Sequence, residues 1–262
     1  MQKKSLTGVY LTGGLGNQLF QLAAGMALDS GPITLEWSLG APRVNSVGMP
    51  EIDSFKLPPR ISFEKKRNSN VFIRRVLNFM IRISKSAYRD PTYFASKTII
   101  KCASAAISLH RKILCQVLSP SGIGYSEIDA NMRSKFLVGY FQSYFWPDKS
   151  RNELMQLKPK SISEEFEKLR VLAQDSKILV VHVRLGDYVS IDTFGIPNPK
   201  YYEKAIRHFS EMQEFDEMWI FSNEPENALK HIGQLPRIKH RIIGDLENSS
   251  SLVLELMRYG DA

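Results

Sequence analysis

The residues best suited to chemistry lie in the run His182-Val183-Arg184-Leu185-Gly186-Asp187-Tyr188. It follows an apolar stretch, Ile178–Val183, that reads as a strand. Residues two apart on a strand share a face, so His182 and Arg184 are expected to project together beyond its end. A guanidinium there presents a planar fork of donors matched to two phosphate oxygens. Asp187 is the acid of the run and could take a proton or orient Arg184. A second run, Phe221-Ser222-Asn223-Glu224-Pro225-Glu226, ends another strand, and Ser222 and Asn223 could bond phosphate, ribose or base. Plain structural uses stand beside these. Arg184 could pair with Asp187, His182 could be a satisfied core histidine, and Ser222 or Asn223 could cap the helix entered at Pro225. Glu224 and Glu226 also suit a first helical turn, where acids complement the helix dipole.

A third run, Thr12-Gly13-Gly14-Leu15-Gly16-Asn17-Gln18, joins a strand to a helix. Its glycines allow close backbone approach, and the helix N-terminus lies directly behind them. Gly14, Gly16, Asn17 and Gln18 are therefore expected to line a cleft, although a tight strand–helix turn would use the same residues. The run lacks the GK[ST] ending of a phosphate-binding P-loop, and Leu19 stands where GxGxxG needs its third glycine. No Ser-His-Asp set, HExxH or DxD-like run occurs, and the expectation is a reaction without a metal or cofactor.

These runs need elements to hold them. A strand over Gly8–Thr12 leads through the glycine turn to a helix whose Leu19, Leu22, Ala23 and Met26 fall on one stripe. Ile33–Trp37 and Phe136–Gln142 read as strands, Gly40–Pro59 as loop and Ile162–Ala173 as a charged helix. The last third alternates regularly: strand Ile178–Val183, helix Pro199–Met212 capped by Asn198, strand Met218–Phe221, a short helix from Pro225, strand Arg241–Ile243 and helix Ser249–Tyr259. Such a rhythm predicts a parallel sheet covered on both faces. Ligands of open parallel sheets bind beyond the carboxyl ends of the strands, where these runs lie.

The 262 residues suffice for one large or two small domains, and 43% hydrophobic content suits an ordinary folded protein. Cys102 and Cys115 are the only cysteines, which supports no disulfide framework. No apolar core of a signal peptide follows the N-terminal lysines, and no stretch reaches the roughly 18 apolar residues of a membrane span. A cytoplasmic location is expected. Charge is concentrated between Arg60 and Lys112, where thirteen Lys and Arg face two acids, an excess larger than the whole-chain +8. Within this block Val71–Tyr88 reads as a basic amphipathic helix with Phe72, Val76, Phe79, Met80 and Ile83 on one face, and Ser96–Leu118 as a second helix. Such a helix suits an anionic membrane surface, hence a peripheral place at the inner membrane face. Packing on a domain core with a basic rim would use the same pattern. No nucleic-acid reader module accompanies the charge, so nucleic acid is not expected as a partner.

Taken in order, Gly13–Gln21, HVRLGDY, FSNEPE and Leu252–Asp261 resemble the bacterial α-1,2-fucosyltransferase family, glycosyltransferase family 11. HVRLGDY is similar to the HxRRxD-type motif shared with α-1,6- and protein O-fucosyltransferases. The resemblance implies an α/β, GT-B-like fold of two Rossmann-like halves facing a cleft. Residues 1–165 would form the acceptor side, with a basic helical insertion at about 60–118. Residues 166–262 would bind GDP-fucose. It further implies an inverting galactoside 2-α-L-fucosyltransferase that needs no metal. Arg184 would contact the donor diphosphate, with His182, Ser222 and Asn223 in the donor site and Asp187 as the candidate base. A galactose-containing, lipid-linked glycan of a surface polysaccharide would be the acceptor.

The pattern departs from the family in two places. Leu185 stands where many members carry a second arginine. The family's strand and loop of the Asn-Ser-x-Phe-Ser-Trp-Trp kind does not follow Ala262, so the C-terminal half is expected to be incomplete. Two other classes remain open on the sequence: a catalytically impaired nucleotide-sugar or glycan-binding remnant, and a membrane-associated subunit of a polysaccharide assembly complex.

Overall fold

The structure, a computed structural model, describes residues 6–37, 42–64, 134–186, 196–233, 237–244, 246 and 249–262, with isolated helical residues Arg75, Phe79, Cys102, Ala105 and Leu109. The basic helices expected over Val71–Tyr88 and Ser96–Leu118 otherwise lie outside the described residues. The chain divides into two compact units, Met1–Lys158 and Pro159–Ala262.

The first unit is built on β1 (Leu6–Tyr10), α1 (Leu15–Leu28), β2 (Ile33–Glu36), β3 (Ile61–Phe63) and β4 (Ser134–Val138). All pairings are parallel, in the order β3-β2-β1-β4. β1 sits two residues earlier than its hydrophobic pattern predicts, with Gly8 opposite Thr34 on one side and Phe136 on the other. The segment 40–59, expected to be loop throughout, contains a 3₁₀ turn at Glu51–Ser54. α1 is buried well beyond its expected stripe: Gln18, Gln21, Ala24 and Gly25 join Leu22, Ala23 and Met26 inside. Two short helices follow β4, namely α2 (Phe145–Lys149) and α3 (Arg151–Met155). Trp146 is buried, and the Ser150 hydroxyl bonds the Ala23 carbonyl at 3.3 Å, tying this segment to α1. Arg60, the first cation of the basic block, is a staple of the fold. Its guanidinium donates to the Asp29 and Gly31 carbonyls at 2.7 and 2.9 Å and forks onto the Glu153 carboxylate. With only a fifth of its side chain exposed, it holds the turn between α1 and β2 in place.

The second unit contains α4 (Glu164–Gln174), β5 (Ile178–Val183), α5 (Pro199–Met212), β6 (Glu217–Ser222), α6 (Pro225–Ile232), β7 (Lys239–Ile243) and α7 (Ser250–Met257). The sheet order is β5-β6-β7, again parallel, with Val181 opposite Ile220 and Phe221 opposite Ile243. Alternation sorts the strand residues into two cores. Ile178, Trp219, Phe221 and Ile243 meet Phe166 and Leu169 of α4 and Leu252 and Leu256 of α7. Leu179, Val181, Val183, Met218 and Ile220 meet Tyr202 and Ile206 of α5 and Ala228 and Ile232 of α6. Helices begin where local capping directs. Ser163 accepts from Phe166 N–H at 3.1 Å and Asn198 from Tyr201 N–H at 3.0 Å, with Pro199 in the first turn. Residues 261 and 262 run along the outer edge of β5: Asp261 N–H donates to the Ile178 carbonyl at 2.9 Å, and Val180 N–H to the Ala262 carbonyl at 2.8 Å.

Candidate functional site

In the second unit, the carboxyl ends of β5 and β6 bring the start of the first run, residues 182–186, beside FSNEPE, since Val183 is in register with Ser222. Val183 and Leu185 are buried toward α5 and α6. The alternation therefore puts His182 and Arg184 on the opposite side, as the spacing predicts. Leu185 is only 4% exposed. A guanidinium at that position would be driven into an apolar core. His182 is exposed, yet its imidazole is held below the ordinary histidine value, first by desolvation and second by the neighbouring Arg184 charge. Arg184 thereby supplies fixed positive charge beside an imidazole biased toward neutrality. Asp187, the candidate base, lies outside the described residues.

Asn223 and Ser222 are engaged in shaping these loops. Leu185 N–H donates to Asn223 Oδ1 at 2.9 Å, and Glu224 N–H to Ser222 Oγ at 3.0 Å. Gly186 adopts φ +69°, and a Cβ there would stand 2.5 Å from Asn223 Nδ2 and 3.2 Å from Glu224 Oε1. Only glycine fits a left-handed turn packed this closely. Glu224, not Ser222 or Asn223, holds the N-cap position of the helix at Pro225, without a side-chain capping bond. Glu224 brings a carboxylate to the same loops, and the sequence pattern signalled it only as a helix-start acid.

In the first unit, the glycine turn is organised by buried amides. Gln18 donates to the Gly13 and Arg43 carbonyls at 2.9 and 3.1 Å and accepts from Ile52 N–H at 2.9 Å, so this expected cleft residue is buried as a clamp. Gln21 bonds both the amide and the hydroxyl of Thr12 and reaches the Gly139 carbonyl at 2.9 Å. Glu51 Oε2 accepts from Leu15 N–H at 2.6 Å, placing a carboxylate at the positive end of α1. Gly14 is the N-cap, with Arg43 nearby.

Gly16 and Asn17 are left toward solvent and partial exposure respectively. Nothing stands within 4 Å of a Cβ built on Gly16. Gly16 lies in the first turn of α1, and no close packing there requires a glycine. Asn17 Oδ1 accepts from Gln142 Nε2 at 2.6 Å. Gln142 follows Phe141, which is buried with φ +53°, a conformation rare for a bulky residue. β4 therefore ends at Val138, four residues before the strand end that hydrophobicity predicts.

Among the described residues no three His, Cys, Asp or Glu side chains gather as a metal-binding group. No described helix is long and apolar enough to cross a membrane. A hollow of about 150 Å³ lies between α4 and the end of β7, lined by Glu165, Leu169, Arg241 and Leu246. It is smaller than the roughly 300–1,000 Å³ usual for ligand pockets.

No family model matches the chain, and no curated protein matches it by sequence. Solved structures do resemble it. The crystal structure of fucosyltransferase NodZ from Bradyrhizobium aligns with TM-score 0.50 and 12% identity, over 98% of this chain and 86% of that one. A structure of NodZ alpha-1,6-fucosyltransferase co-crystallized with GDP aligns with TM-score 0.50 and 10% identity, over 98% and 85%. At such identities the likeness is one of fold: the α/β, GT-B-like class with Rossmann-like halves, expected from the sequence, is the class this chain adopts.

Proposed function

We propose that this chain is an inverting glycosyltransferase that moves L-fucose from GDP-β-L-fucose to a galactoside hydroxyl, making an α-1,2 linkage in a surface polysaccharide. The observation that carries the reading is the strand-end cluster of the second unit. Arg184 projects there beside a histidine biased toward neutrality, on a turn that Asn223 clamps, in a fold like that of fucosyltransferases. The NodZ structures are of an α-1,6 enzyme. The α-1,2 linkage and galactoside acceptor rest on the resemblance of GGLGNQLFQ and HVRLGDY to family 11.

In this reaction the acceptor oxygen attacks C1 of fucose as the C1–O bond to the β-phosphate breaks. The hydroxyl proton passes to Asp187 or to the departing phosphate. Negative charge grows on GDP while fucose gains oxocarbenium character. A fixed guanidinium at Arg184 stabilises that charge more in the transition state than in the ground state, which is the condition for acceleration. The turn at Gly186 and the Asn223 clamp act by holding Arg184 in place before charge develops.

Release of GDP from GDP-β-L-fucose, with lactose as acceptor, tests the reading. Arg184→Ala should abolish it, a loss of about a hundredfold or more. Turnover by that variant at the parent rate would sink the assignment. Binding of GDP by the parent chain without turnover would favour instead a catalytically impaired nucleotide-sugar-binding protein.

A further inference from the structure

The first unit carries a cluster that the donor site does not use. After β4 the chain turns at Phe141 and presents Gln142, Tyr144 and Phe145 in quick succession. Tyr144 and Phe145 are 70% and 42% exposed, and their rings stack with centroids 4.1 Å apart at 29°. Gln142 Nε2 binds Asn17 Oδ1, so this segment is fastened to the N-terminal turn of α1 beside Gly16. Exposed paired aromatics remain wetted where burial would stabilise them, and Gly16 leaves space that a methyl group could occupy without contact.

We infer that Gly16, Asn17, Gln142, Tyr144 and Phe145 form a saccharide-binding subsite on the first unit, taking the acceptor glycan. This rests on the fucosyl-transfer reading and names the residues that would hold the acceptor sugar. A pyranose ring has one face of C–H groups, which packs on an aromatic surface, and a rim of hydroxyls that both donate and accept. Tyr144 and Phe145 offer the first partner, with little conformational entropy to lose. Gln142 and Asn17 offer the second: amides carry donors and acceptors together and no net charge, which suits a neutral polyol. Gln142 Oε1 accepts from no group among the described residues, so that lone-pair site is open to a sugar hydroxyl. The missing side chain at Gly16 lets the sugar approach the first turn of α1. Phe141, held at positive φ and buried edge-on to Trp146, sets the direction in which Gln142 emerges.

The test uses saturation-transfer NMR on the full chain with lactose and methyl β-D-galactopyranoside as probes. Transfer to the galactose ring protons is expected in the parent protein. It should fall by about fivefold or more in Tyr144→Ala, the scale of one lost contact of 1 kcal/mol. A similar fall is expected in Gly16→Ala, whose thermal midpoint should hold or rise, so that misfolding cannot account for the loss. Phe209→Ala, which removes an exposed ring from α5, should leave the signal unchanged. Absence of transfer in the parent protein, or equal transfer in Tyr144→Ala, overturns the inference. So does a Tyr144→Ala variant that loses GDP binding while keeping the saccharide signal. GDP titration of the same samples reads the donor site separately: saccharide binding without GDP binding defeats the fucosyl reading and leaves the subsite standing.

Discussion

Asn223 and Leu185, 38 residues apart, are joined at the ends of adjacent strands by a 2.9 Å bond from the Leu185 amide to the Asn223 side-chain oxygen. The bond lies directly after Arg184, so the Asn223 side chain fixes the backbone next to the residue proposed to meet the donor. Asn223→Ala should cost about 1–2 kcal/mol of stability, by leaving a part-buried amide unpaired. Asn223→Asp keeps the acceptor oxygen and should retain most of that stability, while its charge weakens GDP binding. Chemical denaturation and GDP titration of both variants separate the two effects, and equal stability of parent and Asn223→Ala would count against the clamp.

Gly186 answers to the same side chain. Its φ of +69° and the 2.5 Å separation between a built Cβ and Asn223 Nδ2 leave no room for alanine. Gly186→Ala is expected to lose about 1–3 kcal/mol, through backbone strain and displacement of the amide. A denaturation midpoint unchanged from the parent would contradict the packing described.

His182 gives a pH signature. Its folded value lies below the ordinary 6.5, through desolvation and Arg184. The unfolded chain therefore takes up the proton more readily. This group's contribution makes stability fall as pH drops through the window just below 6.5, and recover as pH rises. Removing the guanidinium in Arg184→Ala removes one of the two causes, so the imidazole midpoint should move upward. Nitrogen-15 NMR titration of the ring reads this directly, and an unmoved midpoint would separate the two side chains.

Gln21 predicts a larger loss in the first unit. Its amide satisfies Thr12 N–H at 3.0 Å and the Gly139 carbonyl at 2.9 Å inside the core. Gln21→Leu keeps the bulk but leaves those backbone groups buried without their partner, an expected cost of about 2–4 kcal/mol. A urea midpoint within error of the parent would show that the groups find other partners.

Much of the second unit was legible before folding was considered. Its strand–helix alternation, the Asn198–Pro199 helix start and the shared face of His182 and Arg184 all follow from short-range rules: two-residue alternation in strands, capping chemistry and the fixed φ of proline. The first unit was less legible. Gln18 read as a polar residue lining a cleft, yet the fold buries it together with Gln21, because a helix lying between glycine turn, loop and β4 must satisfy backbone groups from all three. Phe136–Gln142 is apolar enough to read as one strand, but Phe141 turns the chain and exposes Gln142.

By itself, then, the sequence determined which elements of the second unit form and which residues arrive at its strand ends, because those depend on neighbours within a few positions. Only the tertiary structure decided what the arriving residues do. The register of β5 on β6 made Asn223 a clamp on Leu185 and sent Leu185 into the core beside Val183. The approach of α1 to the segment after β4 paired Asn17 with Gln142, 125 residues away. Hydrogen-bonding side chains accept whichever unsatisfied group packing brings within reach, and that choice is made between strands and helices distant in sequence.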